Sequence, residues 1–167
     1  MACTQTLAGI VRDCLSNMGG VAAVYLANHA DVASLTESNG VISEINMASS
    51  AVFKKYEFAR NTASLTSNYA INAENGTRYV ESDLVMVFNR MDTAKRLEIT
   101  ALAQGELVAV VVDNNGSRWY LGHDAPLVLN AGDGQTGTAR ADRNGYSVTL
   151  HDESLEMPMP FTGGVPV

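Results

Sequence analysis

Residues 69–91 read YAINAENGTRYVESDLVMVFNRM, and the fold turns on how Asn75-Gly76 and the run behind it are interpreted. Asn-Gly flanked by alternating residues predicts a β-hairpin closed by a type I′ turn, which needs positive φ at both central positions. Behind the turn, Val80, Leu84, Met86 and Phe88 share one face of the expected strand. Tyr79, Glu81, Asp83, Val85, Val87 and Asn89 share the other. The first face reads as core and the second as half polar. A strand of about a dozen residues extends roughly 40 Å, well past the usual length, and tends to reach beyond its own domain.

Immediately downstream, DTAKRLEITALAQG (92–105) predicts a helix over residues 92–104. Asp92 or Thr93 serves as N-cap, Leu97, Ala101 and Leu102 recur at helical spacing, and Gly105 is the stop. Further out, Val21–Leu26 reads as a buried strand, Asn39-Gly40 as a turn, and Val41–Met47 as a strand pairing back. Glu106–Val112 is a β-branched run that Asp113-Asn-Asn-Gly116 turns into a second hairpin. Leu127–Leu129 is a short strand and Tyr146–Asp152 a longer one, with Asn144-Gly145 expected as the turn before it. The predicted fold is therefore mainly β with one flanking helix, an antiparallel β-sandwich or open barrel over residues 20–156. Residues 1–19 are expected as an arm or a short amphipathic helix. Leu7, Ile10, Val11, Cys14, Leu15 and Met18 fit helical spacing, and an arm ordered only on a neighbour would bury the same side chains. Residues 157–167 carry three of the four prolines and no periodicity, so they are expected as an extended or disordered tail.

The chain has 167 residues, enough for one core without staples. Eleven Lys and Arg against 18 Asp and Glu give a net charge of −7, which argues against a surface built to grip nucleic acid or anionic lipid. It is compatible with a surface that repels DNA. Cys3 and Cys14 form no CxxC pair and have no nearby histidine, so no metal site is expected. No basic segment leads into an apolar run at the N-terminus, and no stretch has the length of a membrane span, so the expectation is a protein made in the cytoplasm with no membrane partner.

Candidate chemistry is sparse. Gly132-Asp-Gly-Gln-Thr-Gly137 matches the dinucleotide fingerprint, but no helix is expected behind it to offer amides to a pyrophosphate, and a flexible loop is the simpler reading. The Asp113 and Asp142 turns lack the spaced ligands of a calcium loop. His29, His123 and His151 lie far apart with no nucleophile motif, and Glu81 beside Asp83 reads as a solvated, mutually repelling pair. Trp119 and Tyr120 beside Arg118 read as core plus edge rather than a stacking platform. Neither an enzyme nor a cofactor is expected.

FKKYEFARNTAS (53–64), the ENGT turn (74–77) with its long strand, the 92–105 helix, LVAVVVDNNGSRWYLG (107–122) and TGTARADRNGYSVTLHDESLEMP (136–158) together resemble structural proteins of tailed phages from Bacteroidetes-type hosts. Within that group the pattern is most similar to the tail tube, or major tail, proteins. The resemblance implies six-membered rings in which each subunit lends strands to one inner barrel, and rings that stack through a long loop and terminal arms. It would make the protein a virion component, assembled in the host cytoplasm. Its partners would be its own copies and other tail or neck proteins, with DNA passing through unbound. On that scheme Tyr69–Met91 enter the inner barrel and Glu81, Asp83 and Asn89 face the lumen. Tyr69, Asn75, Gly76, Tyr79, Val85 and Val87 would then lie where subunits meet. The short 72–77 loop does not suit ring stacking, which would fall to 28–40, 130–143 or the N-terminal arm. Two other readings stand beside it: a neck, terminator or other single-ring virion protein, and a monomeric β-barrel that binds a small ligand inside.

Overall fold

The computed structural model describes residues 5–167. Among them are eleven strands and one α-helix: β1 (Val21–Asn28), β2 (Val32–Ser38), β3 (Val41–Met47), β4 (Lys54–Tyr56), β5 (Ala63–Asn72), β6 (Thr77–Asn89), α1 (Thr93–Gln104), β7 (Leu107–Asp113), β8 (Arg118–Leu121), β9 (Val128–Gln135), β10 (Gly145–Ser154) and β11 (Met159–Pro160). They build an antiparallel β-sandwich. One sheet has the order β11-β8-β7-β1-β4, the other β5-β6-β10-β9, and β2-β3 form a separate ribbon.

The alternation read in β6 is the alternation observed. Val80, Leu84, Met86 and Phe88 are buried, and the last three share one core with Val24, Leu26, Ala109 and Val111 of the facing sheet. Ser82 falls on the same inward face and is buried with its hydroxyl 2.8 Å from that of Ser67. The continuous apolar run in β7 arises because its sheet is covered on both sides. Leu107, Ala109 and Val111 enter the sandwich core, while Val108 and Val110 enter a second core with Ile42, Ile45, Phe53, Tyr120 and Phe161 under the β2-β3 ribbon.

The turns depart from expectation in informative ways. The hairpin at Asn75-Gly76 exists, but its loop spans residues 73–76, and only Gly76 of the pair has positive φ. Asn72 Oδ1 accepts from the amides of Glu74 and Asn75, which widens the loop beyond a two-residue turn. A two-residue loop with both φ values positive, at 53° and 73°, occurs instead at Asn39-Gly40 between β2 and β3. Asn144-Gly145 is not a turn. Gly145 already pairs with Asn89, and a Cβ there would sit 2.1 Å from the Phe88 carbonyl oxygen, so only glycine lets the strands approach.

Of the Gly132–Gly137 segment, expected as a flexible loop, residues 132–135 belong to β9 and ladder with β10 from Gly145 to Val148. Asp92 caps α1 by accepting from the Lys95 amide at 2.8 Å, but Gly105 ends it in extended rather than left-handed geometry, with φ −96°. Leu97 points to solvent, and only Leu102 of the helix is buried. Residues 5–19 contain no helix and run as an exposed arm. Cys3 and the rest of residues 1–4 lie outside the described residues. The C-terminal segment is extended but ordered against the body: β11 pairs with β8, Phe161 is buried, and the Pro166 carbonyl accepts from the Phe53 amide at 2.8 Å. Among the described residues no helix is long and apolar enough to cross a membrane.

Candidate functional site

The outward face of the four-stranded sheet gathers most of the residues singled out above. Register places Thr66 opposite Asp83 and Asn68 opposite Glu81 on the β5 side, with His151 and Glu153 opposite the same two carboxylates on the β10 side. His151 Nδ1 lies 2.8 Å from Asp83 Oδ1, and its Nε2 lies 3.6 Å from Glu153. The hydrogen bond that the imidazole donates to Asp83 is the main reason that it titrates above its ordinary value. The Tyr79 hydroxyl donates to Glu81 at 3.1 Å, which holds the phenol above its usual range. On β9, Asp133 lies opposite Ser147 and pairs with Arg143 at 2.7 Å. Four carboxylates thus share a face with one histidine, and the face is acidic at neutral pH.

Val85 and Val87 lie on this face half-buried, and Asn89 is exposed at its end. Tyr69 does not join them. It pairs with Val80 on the inward side but lies on the outer strand β5, where it is exposed together with Ile71. Asn75 and Gly76 are at the hairpin tip, where Asn75 Oδ1 accepts from the amide and hydroxyl of Thr77. The expected set therefore divides into an acidic face, a valine strip and an overhanging tip.

The outer strands of this sheet, β5 and β9, each pair on one side only. No backbone group of β9 finds a backbone partner beyond its ladder with β10 among the described residues. Within the sheet every neighbouring pair is antiparallel, so β5 and β9 run in opposite directions.

Sequence reading missed several contacts because each joins segments far apart in the chain. Asp152 faces inward opposite Ser82 and is 2 % exposed, with Oδ1 lacking any hydrogen-bond partner. Burial pushes its carboxyl up to about 6, opposed by the Gly122 backbone N–H. The arm is tied down at its root, where Asn115 Oδ1 accepts from the Met18 amide at 2.8 Å and Asn114 Nδ2 donates to the Gly19 carbonyl at 2.6 Å. Trp119 Nε1 donates to Asp113 Oδ2 at 3.2 Å and Tyr120 is buried, so neither ring is presented for stacking. No group of three or more His, Cys, Asp or Glu converges to hold a metal among the described residues. In comparisons with known proteins, no family model matches the chain, and no curated protein or solved structure is similar to it.

Proposed function

We propose that this protein is a structural subunit that assembles with its own copies, edge to edge through the four-stranded sheet, into rings that stack as a phage tail tube for DNA passage. The observation that carries the reading is the pair of open, oppositely directed edges on β5 and β9. Bringing β9 of one copy beside β5 of the next continues the antiparallel alternation with every copy in the same orientation. A heterologous contact of that kind gives a ring where its rotation closes, and then leaves neither β5 nor β9 exposed. Turned inward, the face bearing Glu81, Asp83, Asp133 and Glu153 lines the bore with negative charge that keeps the DNA backbone from adhering.

Negative-stain microscopy of the purified protein tests this directly. Tubes or stacked rings are expected; isolated single rings would point to a neck or terminator role, and small particles alone at high concentration would sink the assembly reading. The bore assignment has its own test, the double variant Glu81→Lys with Asp83→Lys. Its assemblies should retain added duplex DNA at low salt and release it as salt rises, and retention equal to that of the unmodified protein removes these residues from the bore.

A further inference from the structure

A groove opens between β4 and α1, away from the β5 and β9 edges. Its cavity of ≈ 570 Å³ lies within the size range of small-molecule sites, which are mostly apolar with a few polar anchors. Tyr56, Phe88, Ile99 and Leu102 form the apolar floor. Lys95, Glu98, Ile99 and Leu102 follow the spacing i, i+3, i+4, i+7, so one face of α1 forms a wall about 10 Å long at 1.5 Å per residue. The rim has an unusual charge. Lys54, Lys55 and Lys95 are the only lysines in the sequence, and all three line this one groove.

The carboxylates nearby are already engaged. Glu57 pairs with Lys55 at 2.9 Å, Glu98 accepts from the Tyr56 hydroxyl, and Asp92 takes Lys95 at 2.6 Å. Lys54 has no carboxylate partner among the described residues. Period 2 along β4 puts Lys54 on the same face as Tyr56, the face turned to Glu98 of α1. An uncommitted ammonium therefore stands beside an apolar floor.

We propose that the groove between β4 and α1 binds a monoanionic amphiphile of the fatty-acid class, its acyl chain on the Tyr56, Phe88, Ile99 and Leu102 floor and its carboxylate on Lys54. Three lysines against two glutamates leave the lining net positive, although the whole chain carries −7. One uncommitted cation matches one negative charge, and Glu57 and Glu98 would repel the second charge of a phosphate dianion. The elongated wall suits an extended acyl chain. Binding of this kind needs no second copy of the chain, so it stands or falls apart from ring formation.

Isothermal titration calorimetry of the full chain with decanoate, kept below its micelle concentration, tests the site. Hexanoate, octanoate and decanol serve as comparators. Saturable binding of decanoate is expected, with affinity rising about two- to fourfold per methylene from hexanoate upward. Lys54→Glu should weaken decanoate about tenfold and leave decanol unchanged. Ile99→Trp, which fills the floor, should abolish binding of both. Lys54 is exposed, so its variant keeps the test decisive even where Ile99→Trp disturbs the fold. Absence of saturable decanoate binding, or equal loss of decanol in Lys54→Glu, would overturn the proposal. So would decanoate binding that survives both groove variants and is lost in Leu7→Asp with Val11→Asp, because the ligand then sits on the exposed arm. Sedimentation of the protein with phosphatidylglycerol vesicles, without binding of free decanoate, would identify a membrane surface instead and overturn it as well.

Discussion

His151 and Asp83 meet across the β10–β6 pair, and the consequence is a pH dependence with a definite sign. Because Asp83 raises the imidazole above its ordinary 6.5, the pair adds stability that is fully present below that value and is lost as pH rises through the folded-state value. The side chains are partly exposed, so the contribution is expected to stay under about 1 kcal/mol. Asp83→Asn should bring the His151 titration, followed by NMR, back toward 6.5; an unmoved titration means that the contact is not made in solution. Asp152 behaves oppositely. Its carboxyl is raised from 3.8 to about 6 by burial, so the native state holds a proton that the unfolded chain has released, and stability falls as pH climbs between those values. Asp152→Asn should therefore raise stability at pH 7.5 by about 1–2 kcal/mol and give no gain at pH 4, compared by urea denaturation. Destabilisation at pH 7.5 would mean that the carboxylate is satisfied. Neither contact is legible in sequence, since Asp83 to His151 and Ser82 to Asp152 are set by strand register.

At the scale of elements, α1 is held by its Asp92 cap and by Leu102 and Ile99, which pack on the sandwich core. Asp92→Ala should lower the urea midpoint by removing the cap, whereas Leu97→Ser should leave the stability of the isolated subunit within about 0.5 kcal/mol. Helical spacing predicted the helix correctly but overstated how much of it is buried, because periodicity reports a stripe and says nothing of whether another layer lies against it. The β10–β6 pair depends on Gly145 at its start. Gly145→Ala forces a Cβ against the Phe88 carbonyl and should cost about 2–4 kcal/mol in chemical denaturation, in contrast to Gly164→Ala, which meets open space. Finding the two equally tolerated would disprove the close strand approach.

For the whole molecule, the C-terminal segment is the clasp that closes the second core. Phe161 sits against Ile42, Phe53 and Tyr120, and Phe161→Ala should cost about 3–5 kcal/mol by urea denaturation. A loss below 1 kcal/mol would place the tail off the body, as its proline content suggested. The opposite terminus leaves its apolar side chains uncovered, and the open β5 and β9 edges leave backbone groups unpaired. The proposed assembly would cover both, and on that proposal the unfolding midpoint should rise with protein concentration.

Alternation in β6, the β-branched run of β7, the Asp92 cap and the turns at Asn39-Gly40 and Asn75-Gly76 determined, from sequence alone, a mainly β chain, sandwich or open barrel, with one helix and the face on which Glu81 and Asp83 lie. Those signals are local, since side-chain direction follows the backbone period of a single element. Tertiary structure decided the rest: that β9 is a strand, that Asp152 is buried with its Oδ1 unpartnered, that His151 meets Asp83, and that the C-terminal tail is ordered while the N-terminal arm is not covered. Each of these depends on which distant segment lies alongside, and burial and register are properties of the packed pair rather than of either stretch alone.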